Sequence, residues 1–521
     1  MKIIKIFASL MGILFLSILS FKPVNKSTRY IPVYKPISSD SIPSGKQLAN
    51  LYCQACHLFP EPSLLDKETW LNSVLPNMAL RLGIKERGID SYEGMPQEEI
   101  KIIRPLGVYP DEPMISKEQW SKIVAYYEKE APSQPLEQMF EVTSINRSSL
   151  FKGKEIYITE KVWPKTTLLK FDESTSQLYV GDAEKSLYIL DAKMQLISTI
   201  KTVSPPVDID FPINAAPRLL LIGSMAPSDQ KLGSLISIST DNKIKKNKIN
   251  IKALPRPVQF AVGDLNMDEK EDVIICGFGN FSGKLFWYDS FDTSKENILK
   301  ALPGARKVEI NDFNKDGKPD LIVLMAQARE QLSVFYNLGE GQFEEKVILS
   351  FPPVYGVSYF ELIDFNKDGY KDILLTNGDN WDYSAIRKNY HGVRLFLNDG
   401  QDNFKKSFFY PIYGASKAIA RDFDNDGDLD IAAISFYSDL DNQEQSFIYL
   451  SNEGNMNFKT NITLGAETGK WLTMEAADFD KDGDIDIVLG SYFQNFIEYR
   501  KLIANGITSF PQLLLLTNES K

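Results

Sequence analysis

Three residues near the amino end could act together on one cofactor: Cys53, Cys56 and His57, in the run Cys53-Gln54-Ala55-Cys56-His57. Two thiols one helical turn apart can each form a thioether to a vinyl group of the same porphyrin, and the adjacent imidazole then reaches the iron from that side. The chain holds little else for such chemistry, since its other cysteine and histidine are Cys276 and His391. A zinc site would need a fourth ligand close by. A thioredoxin-like redox pair wants a βαβ setting, and these flanks read helical. One covalent haem c is therefore expected, attached at Cys53 and Cys56 and ligated by His57. On the far side of the iron a thioether is expected. Met78, just beyond Pro76, is the choice, with Met95 and Met114 as alternatives. Pro60 or Pro62 is expected to offer a carbonyl that orients the His57 ring.

A second constellation recurs five times. Its members are Asp264, Asn266, Asp268 and Asp272; Asp312, Asn314, Asp316 and Asp320; Asp364, Asn366, Asp368 and Asp372; Asp422, Asp424, Asp426 and Asp430; and Asp478, Asp480, Asp482 and Asp486. The starts lie 48, 52, 58 and 56 residues apart. Oxygens at loop positions 1, 3 and 5 can converge on one hard cation, glycine at position 6 permits the sharp turn, and a carbonyl at 7 with the Asp at 9 completes a calcium cage. An EF-hand would carry Glu at position 12 between two helices. Val323, Ala433 and Leu489 stand at that position, and strands follow the loops. Up to five Ca²⁺ ions are expected, with the first loop weak because Glu269 replaces the glycine.

These residues need scaffolds. Ser44 with Gln47 reads as a capping box that starts a helix running into Cys53. Asp66 caps a second helix, through Trp70, Leu71 and Val74, expected to stop near Pro76. Gly94-Met95-Pro96 opens a further helix through Ile100 and Ile103. Ser116 with Gln119 caps the last, through Trp120, Ile123, Val124 and Tyr127. This order of helices around Cys-x-x-Cys-His resembles the class I c-type cytochromes over residues 44–131. The resemblance implies a small all-α haem domain that carries electrons. Downstream, each Asp loop leads at once into an apolar run such as LIVL or IAAI. Short strands repeating at this interval read as propeller blades. The pattern is similar to the FG-GAP/VCBS repeat family over residues 258–500, which implies a calcium-studded β-propeller. Weaker units around Asp172 and Asp208 bring the count to about seven blades. A segment near 138–158 is expected to pair with the last blade and close the ring.

The fold class expected is thus multidomain, a small all-α cytochrome c domain followed by an all-β propeller. Residues 1–21 read as a signal peptide or N-terminal anchor, 22–43 as a linker, 44–131 as the cytochrome domain, 132–149 as a linker and 150–521 as the propeller. A net charge of −11 argues against a nucleic-acid partner. The function expected is that of an exported mono-haem electron carrier, periplasmic or extracellular, whose propeller binds a redox partner protein or a surface. Membrane contact would come only through an uncleaved N-terminal segment. The alternatives are a haem-coupled propeller oxidoreductase and a calcium-dependent adhesion or carbohydrate-binding propeller. No catalytic residue is assigned: Cys276 reads as buried filler and His391 as a turn residue.

Overall fold

Each Asp loop hands the chain to a strand with no polar face. Asp272–Gly277, Asp320–Met325, Asp372–Asn377, Asp430–Ser435 and Asp486–Ser491 are buried at every residue. A strand so buried must be covered on both faces, and neighbouring sheets supply the cover. The structure is a computed structural model that describes residues 43–85, 90–137, 145–160, 163–238, 250–379 and 383–520. The signal or anchor at 1–21 and nearly all of the linker at 22–43 lie outside the described residues. Residues 44–521 form one compact unit.

Seven antiparallel sheets make the seven blades of a β-propeller. In chain order their innermost strands are Thr166–Asp172, Pro206–Asp210, Pro257–Gly263, Ala305–Asn311, Val357–Ile363, Ala415–Arg421 and Trp471–Ala477. Phe151–Ile156 pairs antiparallel with Leu513–Asn518 and becomes the outermost strand of blade 7. The ring is thus closed by the segment expected to close it, which gives blade 7 its fourth strand. Asn146–Arg147 adds a short parallel strand to blade 6. Of the two weaker units, Asp172 does end an innermost strand. Asp208 does not open a loop. It lies inside Pro206–Asp210, because the turn of blade 2 begins later, after Asp210.

Apolar clusters fill the seams between blades. Leu168, Leu187 and Ile209 join blades 1 and 2, for example, and Ile419, Phe447 and Met474 join blades 6 and 7. Around the central channel a second device runs the whole way. One polar side chain from each innermost strand bonds to the backbone of the next. Thr167 donates to the Pro206 carbonyl, Asp208 accepts from Phe260 N–H, Gln259 from Val308 N–H, and Lys307 donates to the Phe360 carbonyl. Glu361 then accepts from Ala420 N–H, Lys417 donates to the Met474 carbonyl, and Glu475 accepts from Phe171 N–H, which returns to blade 1. The seven bonds measure between 2.6 and 3.4 Å. They satisfy backbone groups that the twist of adjacent blades would otherwise leave unpaired.

One of these links titrates. Burial pushes the Asp208 carboxyl up to about 6, against the pull of Phe260 N–H and Lys170. A carboxyl raised on folding contributes stability that is complete below its unfolded pKa and is lost as pH rises through 6. Asp208→Asn keeps an acceptor for Phe260 N–H and removes the titration. It is expected to match wild type near pH 4 and to exceed it by about 1–2 kcal/mol near pH 8. Paired denaturant melts at the two pH values check this. A variant less stable than wild type at both would refute it.

The helices lie where their caps place them. α1 (Gly45–Cys53) and α5 (Lys117–Glu130) both carry the complete capping box, from Ser44 with Gln47 and from Ser116 with Gln119. Asp66 caps α2 (Lys67–Thr69). The chain does not stop at Pro76, contrary to expectation. It passes through a π turn at Trp70–Val74 and continues as α3 (Leu75–Arg81). Pro76 then stands in the first turn after a register shift, where its missing N–H costs little. α4 (Gln97–Ile103) follows Pro96. α1 crosses α5 so closely that a Cβ on Gly45 would lie 2.1 Å from the Lys122 carbonyl. The Trp70 and Tyr127 rings meet at 4.5 Å in the core of this helical head.

Topology fixes which face of the propeller the head occupies. The Asp loops join the first strand of a blade to the second. The head touches the connections between second and third strands: Ser228 bonds Glu99, Phe281 meets Tyr109, Arg329 donates to the Cys56 carbonyl, and Tyr390 donates to the Leu64 carbonyl. In an antiparallel blade these two kinds of connection lie at opposite ends. The head therefore sits on blades 2–5, on the face away from the Asp loops.

Candidate functional site

The five Asp loops share one backbone trace. Positions 4 and 6 are left-handed in each, from Met267 (φ 64°) and Glu269 (φ 66°) to Lys481 (φ 65°) and Gly483 (φ 100°). This trace turns successive side chains inward. The N–H of position 5 donates to position 3 in every loop and, except in blade 6, to position 1 as well, as Asp316 does to Asp312 (3.0 Å) and Asn314 (2.9 Å). The N–H of position 6 donates to the other oxygen of position 1, at 2.8 Å for Glu269 and 2.9 Å for Gly317. Oxygens thus gather at one point, the arrangement a hard cation requires. In blades 6 and 7 three carboxylates do so: Asp422, Asp424 and Asp426, and Asp478, Asp480 and Asp482, each set within 4.8 Å. Asp422 Oδ1 is buried with no hydrogen-bond partner, so this donor set has room for an ion. In blades 3 and 4 the charge at position 5 is balanced by a lysine two residues on, Lys270 at 2.8 Å from Asp268 and Lys318 at 3.1 Å from Asp316. A cation bound in these two loops would have to displace those ammonium groups.

The ninth position works differently from its expected place in the cage. Asp272, Asp320, Asp372, Asp430 and Asp486 are fully buried or nearly so. Each has one oxygen taken by the N–H of loop position 2, as for Phe313 on Asp320 (3.0 Å). The other oxygen accepts from the end of the third strand, at Ser290, Asn337, Asn398, Asn452 or Asn518. These aspartates pin the loop to the blade. Desolvation raises all five carboxyls, Asp430 to about 6 and Asp486 to about 7. The asparagines were not singled out from sequence. Asn337 bonds the Pro319 carbonyl in its own blade and the Leu265 carbonyl in the blade before, and Asn518 does the same with Ile485 and Phe423. The signal was present as Asn recurring at the close of YNLG, LNDG, SNEG and TNES.

One repeat model matches the stretches that hold these loops. The FG-GAP-like repeat matches residues 264–323, 312–375 and 422–489. These stretches contain all five Asp loops. No curated protein matches the chain. Among solved structures, the Neurospora crassa Pan2 WD40 domain is 8% identical, with 72% of this chain and 97% of that chain covered and a TM-score of 0.41. A chain in the S. cerevisiae assembly of Dbp5 with Nup159 and Gle1 is 10% identical, with 72% and 96% covered and a TM-score of 0.42.

Glu269 keeps the FG-GAP trace at the cost of a left-handed backbone that a side chain resists. Glu269→Gly is expected to stabilise the calcium-free protein by about 1 kcal/mol. A shift of the denaturant midpoint at constant slope checks this.

Cys53 closes α1, and Cys56 and His57 follow in the turn beyond it. Neither thiol is in a disulfide, and Cys56 is exposed. Burial beside Tyr127 pushes the Cys53 thiol up to about 11. His57 Nδ1 lies 2.8 Å from the Leu58 carbonyl. Leu58 therefore orients the ring, not Pro60 or Pro62. Those carbonyls are already occupied, Pro60 by the Tyr127 hydroxyl and Pro62 by Trp70 Nε1, both at 2.8 Å. Met78 on α3 packs at the edge of the head core, as does Cys53. Met95 precedes α4 half-buried, and Met114 is 47% exposed. Arg81, three residues after Met78, bonds the Tyr383 hydroxyl at 3.3 Å and lies over the Phe281 ring. The propeller thus holds a guanidinium close enough to His57 to act on its charge.

Proposed function

We propose that the chain is an exported electron-transfer protein, a mono-haem c-type cytochrome head carried on a calcium-stabilised propeller that binds a partner or a surface. The observation that carries this reading is His57. With Nδ1 committed to the Leu58 carbonyl, Nε2 is the nitrogen left for iron, and two thiols free of any disulfide stand four residues and one residue before it. Cys53 and Cys56 would hold the porphyrin and His57 the iron, with Met78 the expected ligand opposite. Bound haem supplies one-electron transfer between Fe(II) and Fe(III).

The protein's own groups do the rest. Leu58 fixes the ring of His57, Arg81 places positive charge nearby, and the Arg329 bond to the Cys56 carbonyl anchors the attachment turn to blade 4. The calcium loops lie on the far face, so their role is to hold the blades. That leaves their face, and blades 1, 6 and 7 beside the head, for a redox partner. Haem attachment outside the cytoplasm fits the apolar run at residues 6–20.

The test is direct. The protein is expressed in a host able to attach haem c, denatured, and assayed for haem still bound to the chain, together with a reduced-minus-oxidised spectrum. One haem per chain is expected. A chain recovered without haem would sink the reading.

A further inference from the structure

A polar cavity of about 260 Å³ opens on the same face as the head, between blades 5, 6 and 7. Its lining includes Arg387, His391, Tyr413, Asp439, Asp441 and Lys501. Ile386 also lines it and packs against the core of the head, so the cavity lies at the seam of helices and propeller.

The charges in it are already matched. Arg387 pairs with Asp439 and lies over the Tyr413 ring at 5.4 Å. Lys501 pairs with Asp441 at 2.9 Å. His391 is 1% exposed, and its Nε2 is buried with no hydrogen-bond partner. Burial, with Lys388 and Arg394 close by, keeps that ring neutral. An unpartnered buried nitrogen costs stability unless something meets it.

We propose that this cavity binds a small neutral polyhydroxyl compound, a sugar or cyclic polyol of one ring. An anion would face Asp439 and Asp441, and a cation would face Arg387 and Lys501. A neutral ligand pays neither repulsion. Its hydroxyls can accept from Arg387, Lys501 and the Tyr413 hydroxyl and can donate to Asp441. The cavity falls just below the usual volume of ligand sites, roughly 300–1,000 Å³, which limits the occupant to about one ring. The site is formed by the propeller and does not depend on the haem assignment.

Calorimetric titration of the full-length protein tests this with glucose, galactose, mannose and myo-inositol, beside glucuronate and glucosamine as charged counterparts. Saturable binding of at least one neutral compound is expected, at one site per chain. Lys501→Ala and Arg387→Gln are each expected to weaken it tenfold or more. Lys501 is exposed enough that its variant should keep the wild-type melting temperature, which guards against misfolding in the other. The proposal fails if no neutral compound binds, if a charged counterpart binds more tightly, or if Lys501→Ala leaves affinity unchanged. The haem assay does not bear on any of these outcomes.

Discussion

A calcium chelator is expected to lower the melting temperature of the full-length protein by on the order of ten degrees, with added calcium restoring it. A site held at a hundredfold excess over its Kd adds about 2.7 kcal/mol to the folded state, and several such increments move the midpoint of a domain this large by that much. The stabilisation is expected because each loop gathers at least two carboxylates, and in blades 6 and 7 three, whose mutual repulsion a bound cation would relieve. Loss should be ordered. Blades 6 and 7 offer three carboxylates each, whereas blades 3–5 carry Asn at position 3, and in blades 3 and 4 a lysine competes. The last ions removed by graded chelator should therefore be those at Asp422 and Asp478. Asp422→Ala should cost more of the calcium-dependent stability than Asp312→Ala. Identical melts with and without metal, on protein shown by elemental analysis to be stripped, would remove calcium from the account.

The propeller was legible because its repeats are local and oxygen-rich. An Asp-x-Asp/Asn-x-Asp-Gly run followed by four apolar residues states both the turn and the buried strand within about a dozen positions. Blade 2 was placed only roughly, since its first turn has no such run and Asp208 is a strand residue facing the channel. The clasp of seven inner-strand side chains could not be seen. Thr167, Gln259 and Lys417 have nothing in common as residue types. What they share is a position just after the irregular pairing near the start of each innermost strand, or within it. The helix starts were readable from Ser44, Asp66 and Ser116, because a cap is a local bond. The continuation through Pro76 was not, because it depends on a π turn stabilised by the burial of Trp70 against Tyr127. The cavity at the seam joins residues from blades 5 and 6 with Lys501, carried on α6 (Phe496–Ala504) within blade 7. No spacing along the chain announces it.

Replacing both cysteines, Cys53→Ser with Cys56→Ser, is expected to abolish covalent haem altogether, whereas Met78→Ala should keep the haem and alter its iron. The two outcomes separate attachment from ligation. Without either thiol no thioether can form, so a denatured sample carries no haem even if His57 is intact. With both thiols present and Met78 removed, one side of the iron loses a thioether donor, which favours Fe(II). The midpoint potential should then fall by on the order of 0.1 V or more, given the span that axial ligands command, and added imidazole should bind where it did not before. Met78 is distinguished from Met95 and Met114 by place. It shares the edge of the head core with Cys53, whereas Met114 is half in solvent. Met114→Ala and Met95→Ala should leave the potential where it was. A shift confined to one of those two variants would move the ligand there and keep the cytochrome reading. Covalent haem persisting in the double serine variant would end that reading, since no other cysteine lies outside the buried strand that holds Cys276.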